Sequence, residues 1–162
     1  MEDVIKKIAN IEYDLFVANS HAIAIQQSDG RYITKYVHYD SSLIENMIKN
    51  DGSAGCYQQS YGNGKMKWVC LDFDCKNKDA DEDQISCLYR IIRKNLLDYL
   101  DEFNITYLCE FSGRRGIHIW LIFDSPIHKK EGYWLVKRLS EKVKIDESIY
   151  GVDLFPQTDS YK

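Results

Sequence analysis

Apolar positions at helical spacing open the chain: Val4, Ile5, Ile8, Ile11 and Leu15 recur at three- and four-residue intervals and predict a helix over residues 1–15. His21–Gln26 alternates small apolar and polar side chains as a strand does, Ser28-Asp29-Gly30 is a turn signal, and Arg31–Val37 predicts a second strand, so the pair forms a hairpin. Ser42 and Glu45 match a capping box for a short helix carrying Leu43, Ile44, Met47 and Ile48 and stopping at Asp51-Gly52. Ala54–Gln58 reads as a strand and Tyr61–Gly64 as a loop. Lys67–Asp74 carries a nearly continuous apolar run, Trp68, Val69, Cys70, Leu71 and Phe73, as a strand buried on both faces does. Acids at Asp79–Asp83 suit a helix N-terminus, and Ile85, Leu88, Ile92, Leu96 and Leu100 mark a long amphipathic helix. Ile105–Phe111 and Gly116–Phe123 predict two strands joined by Gly113-Arg114-Arg115-Gly116. Lys129–Lys144 predicts a helix with Trp134, Leu135, Leu139 and Val143 inward, and Tyr150–Phe155 a last strand.

The resulting order, α-β-β-α-β-β-α-β-β-α-β, has more strands than helices and includes hairpins. It predicts an α+β fold with a mixed or antiparallel sheet flanked by helices rather than a doubly wound parallel sheet. At 162 residues the chain fits one domain, and 44% hydrophobic residues suffice for a substantial core. With a net charge of −4, bulk positive charge is not its means of touching nucleic acid, which leaves local contacts open. The five cysteines form no Cys-x-x-Cys pair, which argues against structural zinc. Their odd number, with no signal peptide, points to a reducing, cytoplasmic setting. Cys70 and Cys109 read as small core residues in strands. No window reaches the roughly 20 apolar residues of a membrane span.

Two segments carry chemistry. Asp72 and Asp74, at i and i+2 of the best-defined strand, share a face and are costly there unless a cation lies between them. A hard divalent ion such as Mg²⁺, held by carboxylate and phosphate oxygens, fits that need. Ser112, Arg114, Arg115 and His118, set around Gly113 and Gly116, suit a grip on phosphate. A hairpin turn there sets Ser112 and His118 on neighbouring strands, with both arginines at the tip. Asp153, an acid among apolar neighbours on the last strand, completes a set able to hold two metals, as in phosphoryl transfer. Plainer readings stand beside these: a strand end whose acids face solvent, and an ordinary turn with solvated arginines.

An Asp-x-Asp strand (Asp72, Asp74), a Ser-Gly-x-x-Gly-x-His turn (Ser112 to His118) and a later hydrophobic-Asp strand (Asp153) resemble, in that order, the archaeo-eukaryotic primase superfamily. Phe111 to Trp120 is similar to the catalytic small subunit of primases. Gly55-Cys56-Tyr57, the aromatic strand Ile117–Phe123 and Phe155-Pro156-Gln157 are similar to primase-polymerases of bacteria and mobile elements. The likeness runs from about residue 40 to the end. It implies a primase-type RRM-like catalytic core over residues 61–162 and an N-terminal αβ lobe over residues 1–60. It implies that Asp72, Asp74 and Asp153 hold Mg²⁺ or Mn²⁺ as the catalytic carboxylates. Ser112, Arg114, Arg115 and His118 would hold the triphosphate while a 3′-hydroxyl attacks the α-phosphate. The implied partners are nucleoside triphosphates, a DNA template and primer strand, and a helicase or other replication or defence module. The chain ends nine residues after Asp153, where family members usually continue, which suggests a minimal member or part of a longer protein. Two other readings remain open: a metal-dependent nucleotide-sugar transferase, and a binding module whose sheet stacks bases on Tyr57, Tyr61, Trp120 and Tyr133.

Overall fold

A computed structural model describes residues 2–27, 29 and 31–160; Ser28 and Gly30 of the expected turn lie outside the described residues. The chain divides into two compact units, one from Met1–Trp68 with Asp124–His128, the other from Val69–Phe123 with Lys129–Lys162.

In the first unit α1 (Glu2–Phe16) precedes the hairpin of β1 (Ala22–Gln26) and β2 (Tyr32–Tyr36), then α2 (Ser41–Lys49) and the short β3 (Gly55–Cys56). These strands form an antiparallel sheet in the order β2-β1-β3. Its core joins Ala9, Val17, Ile23, Tyr39 and Ile44, with Tyr13, Ile25, Leu43 and Met47 packed against them. The start of α2 differs from expectation. Asp40 is the N-cap, accepting from the backbone N–H groups of Ser42 at 3.0 Å and Leu43 at 3.1 Å. With Asp40 already satisfying those donors, the Ser42–Glu45 box does not form.

The second unit is built on a sheet ordered β5-β6-β4-β7, from β4 (Lys65–Cys75), β5 (Leu108–Phe111), β6 (Gly116–His128) and β7 (Tyr150–Phe155). The pairs β4–β7 and β5–β6 are antiparallel. Alternate residues Val69, Leu71 and Phe73 of β4 and Ile117, Ile119 and Leu121 of β6 are buried, with Leu88, Ile92, Leu96, Leu97, Leu100, Val136 and Leu139 of the helices. The long helix arrives as α3 (Glu82–Ile92), a π-helical segment (Arg93–Leu97) and α4 (Asp98–Glu102). The π turn inserts a residue into the helical repeat, and the consecutive Leu96 and Leu97 are both buried there. The α3 start carries a capping box in which Asp81 and Gln84 bond each other's backbone N–H.

Three expectations are corrected. Helix α5 (Lys129–Ser140) stops short of Lys144. Trp134 is 44% exposed rather than inward, because Val136 and Leu139 occupy the buried face of α5. Cys70 is buried but Cys109 is exposed, because β5 is an edge strand. No helix among the described residues is long and apolar enough to cross a membrane.

Candidate active site

Alternation along β4 turns Val69, Leu71 and Phe73 into the core and leaves Asp72 and Asp74 half-buried on the opposite face. Asp153 of β7 is the direct cross-strand partner of Asp72, and Gly151 that of Asp74. Directly opposed residues share a face, so the three acids lie on one side of the sheet.

The hairpin of β5 and β6 comes from the other flank. The Ser112 N–H donates to the Gly116 carbonyl at 2.9 Å, and the Gly116 N–H donates to Ser112 Oγ at 2.9 Å. Gly113 takes φ +86°, which favours glycine. The closure sets Glu110 opposite His118. His118 Nε2 lies 3.3 Å from Asp72 Oδ1, and its Nδ1 lies 3.0 Å from Glu110 Oε2. Glu110, His118, Asp72 and Asp153 therefore form one row across all four strands. The same Glu110 oxygen accepts from Trp120 Nε1 at 2.9 Å.

Arg115 departs from its expected place at the turn's tip. Its Nη2 contacts Asp74 Oδ2 at 3.2 Å and its Nη1 donates to the Cys75 carbonyl at 2.5 Å, which draws the side chain back onto β4. Arg114 stays exposed, with no hydrogen bond or ion pair to the described residues. Gly116 is held to glycine by crowding as well as by the turn: a Cβ there would sit 2.5 Å from Asp74 Oδ1 and 3.2 Å from the Phe73 carbonyl. The hydroxyl of Ser112 is committed to the turn.

The two cations settle the electrostatics of the acids. The neighbouring Asp72 carboxylate, then Glu110, raise the His118 pKa to about 9 against the opposing effect of burial, so the ring carries a proton at neutral pH. Burial, reinforced by the charge of Asp72, raises the Asp74 pKa, and Arg115 works against that rise. The need for a cation between neighbouring anions is thus met within the chain by His118 and Arg115.

One acceptor is left over. Asp72 Oδ1 is buried and has no hydrogen-bond partner; the His118 contact has the distance of an ion pair without the alignment of a hydrogen bond. A buried carboxylate oxygen lacking a donor suits a hard divalent cation. Among the described residues, no three His, Cys, Asp or Glu side chains are gathered as metal ligands. The donor set fits Mg²⁺ or Mn²⁺ where phosphate oxygens or water supply the remaining ligands.

Glu110 escaped the sequence reading. Its signal was there: a lone acid in the run Tyr107 to Phe111, as far before the turn's centre as His118 lies after it. The aromatic residues considered for stacking each have a partner within their own unit. Tyr61 stacks on His21, Tyr57 bonds Thr34, Tyr133 lies against Trp134 on α5, and only Trp120 belongs to the acidic face.

The mixed α+β fold with antiparallel sheets and flanking helices is that of the primase-polymerase class. A similar solved structure is the polymerase domain from Mycobacterium tuberculosis ligase D in complex with DNA, with a TM-score of 0.56, 13% identity, and coverage of 94% of this chain and 71% of that one. Residues 10–162 match the archaeo-eukaryotic primase domain of TOTE conflict systems, and the chain belongs to that family. No curated protein matches.

Proposed function

We propose that this domain is a template-directed nucleotidyltransferase of the primase or primase-polymerase type, joining nucleoside triphosphates on a DNA template and primer, with its chemistry in the core of residues 61–162. One observation carries the proposal: Asp72, Asp74 and Asp153 share a face of one sheet, with His118 in register beside them. Membership of the primase family supports it. Asp72, Asp74 and Asp153 would hold Mg²⁺ or Mn²⁺, with Asp72 Oδ1 the carboxylate oxygen that still lacks a hydrogen-bond partner. Bound there, a divalent ion would supply charge stabilisation for phosphoryl transfer. Arg114, exposed and unpaired, is available to a phosphate, and His118, whose Nδ1 is held by Glu110, can offer Nε2. Arg115 can exchange Asp74 for a phosphate oxygen, while Ser112 shapes the turn from which these groups project. The five free thiols fit a reducing cytoplasm, and membership of the conflict-system family suggests companion modules such as a helicase.

A second reading, nucleotide binding without transfer, is favoured by the ion pairs Asp72–His118 and Asp74–Arg115, which neutralise the acids from within. Calorimetric titration of nucleoside triphosphate beside a primer-extension assay decides between the two. Arg114→Ala and His118→Ala should weaken binding by about 10- to 150-fold, the worth of one charge-assisted hydrogen bond. Asp72→Asn should abolish extension and leave measurable binding. Binding without any extension by the wild type, with Mg²⁺ or Mn²⁺, selects the second reading, and no binding at all rejects both.

A further inference from the structure

Glu110 lies on an exposed edge strand, and its side chain is 49% exposed, so filling the core is not its role. Its Oε2 is nevertheless the shared acceptor of two ring donors, His118 Nδ1 at 3.0 Å and Trp120 Nε1 at 2.9 Å. The indole N–H can only donate and an ionised carboxylate can only accept, so Nδ1 of His118 carries a hydrogen toward Glu110. The indole also stands edge-on to the imidazole, with centroids 5.7 Å apart and planes at 89°. A ring held in this way cannot turn over about its Cβ–Cγ bond without losing the Glu110 bond. That orientation leaves Nε2 on the side of Asp72, 3.3 Å away at ion-pair distance, on the face of the three acids.

We infer that Glu110 is a positioning residue: through the carboxylate it shares between His118 and Trp120, it fixes the ring of His118 with Nε2 facing the acidic row. The consequence for nucleotide binding rests on the function proposed above; the orientation itself does not. Without the carboxylate, the two donors lose their common acceptor and the imidazole is free to flip, presenting Cε1 where Nε2 now points. Glutamine keeps an acceptor oxygen at the same reach and should preserve most of the orientation, whereas alanine should not.

The test uses the whole chain, ¹⁵N-labelled and metal-free, as wild type, Glu110→Ala, Glu110→Gln, His118→Ala and the double variant Glu110→Ala/His118→Ala. Trp120→Phe assigns the indole resonance. The wild type should show an exchange-protected Nδ1–H signal from His118 and a downfield Trp120 indole N–H. Glu110→Ala should lose the first and shift the second upfield while the protein stays folded, and Glu110→Gln should retain both. In titrations with nucleoside triphosphate and Mg²⁺, Glu110→Ala should cost about tenfold in affinity and His118→Ala about 10- to 150-fold, with the double variant no weaker than His118→Ala alone, since one acts through the other. Identical spectra for wild type and Glu110→Ala, or losses that multiply in the double variant, overturn the inference. If the wild type binds no nucleotide, the proposed function fails, and the two resonances alone decide whether Glu110 orients the ring.

Discussion

His118 sits between Asp72 and Glu110, and this ties the stability of the site to pH. Its folded pKa of about 9 exceeds the ordinary value of 6.5, so the protonated ring stabilises the fold in full below pH 6.5. That contribution is lost as pH rises through 9. His118→Gln should therefore destabilise the metal-free protein by about 1–2 kcal/mol at pH 6, allowing for solvent screening of a partly exposed group, and by progressively less toward pH 10. Urea unfolding of both proteins across that range measures the difference. A gap that widens with rising pH would show that the ring is not held charged by its two acids. At this scale Asp72, Asp74, Asp153 and His118 were legible as a chemically unusual set, since acids and a histidine interrupt apolar strand runs. The inward fold of Arg115 was not, because its partners Asp74 and the Cys75 carbonyl lie about 40 residues away in sequence.

Among the elements, β4, β7 and the hairpin of β5 and β6 carry the candidate site, and the helices supply the core behind it. Apolar periodicity located the helices, while their starts depended on which polar side chain reached the free N–H groups. For α2 that residue was Asp40 instead of Ser42, and for α3 it was Asp81 with Gln84. Asp81→Ala removes one side of the α3 capping box and should cost about 0.5–2 kcal/mol in thermal or chemical unfolding. The loss should leave nucleotide binding unchanged, since Asp81 is absent from the acidic face. A loss of binding at unchanged stability would tie the α3 start to the site. In α1 the apolar rhythm that marked the helix includes Val4, Ile8 and Ile11, at 59%, 42% and 49% exposed, while Ala9 and Tyr13 face the core of their unit. Periodicity thus revealed the helix and left open which side would be covered.

For the whole molecule, Asp72 and Asp74 are paired with His118 and Arg115 of the same chain, and a divalent ion at these acids would compete with them. Mg²⁺ or Mn²⁺ binding to the folded state should raise the melting temperature with concentration, by about 2.7 kcal/mol of stability at a hundredfold excess over Kd. Asp72→Asn with Asp74→Asn should abolish the rise without unfolding the protein, because both side chains are only half-buried. A double variant that retains the full shift would place the ion elsewhere. Ionic strength held constant in every scan separates ion binding from screening.

The order of helices and strands, an α+β class with hairpins rather than a doubly wound parallel sheet, and the residues with chemical promise were determined by the sequence alone. Periodicity, turn glycines and acids set in apolar runs act within a few residues of one another. The hairpin register was not legible in this way: a four-residue turn Gly113–Gly116 would set Ser112 opposite Ile117, whereas Ser112 closes on Gly116 and so sets Phe111 opposite Ile117 and Glu110 opposite His118. Tertiary structure decided which strands became neighbours. Only the arrival of β7 on one flank of β4 sets Asp153 against Asp72, and only the arrival of β6 on the other gives Asp72 and Asp74 their own cations. Pairing between strands distant in sequence depends on how both bury their apolar faces together, and no local pattern records it.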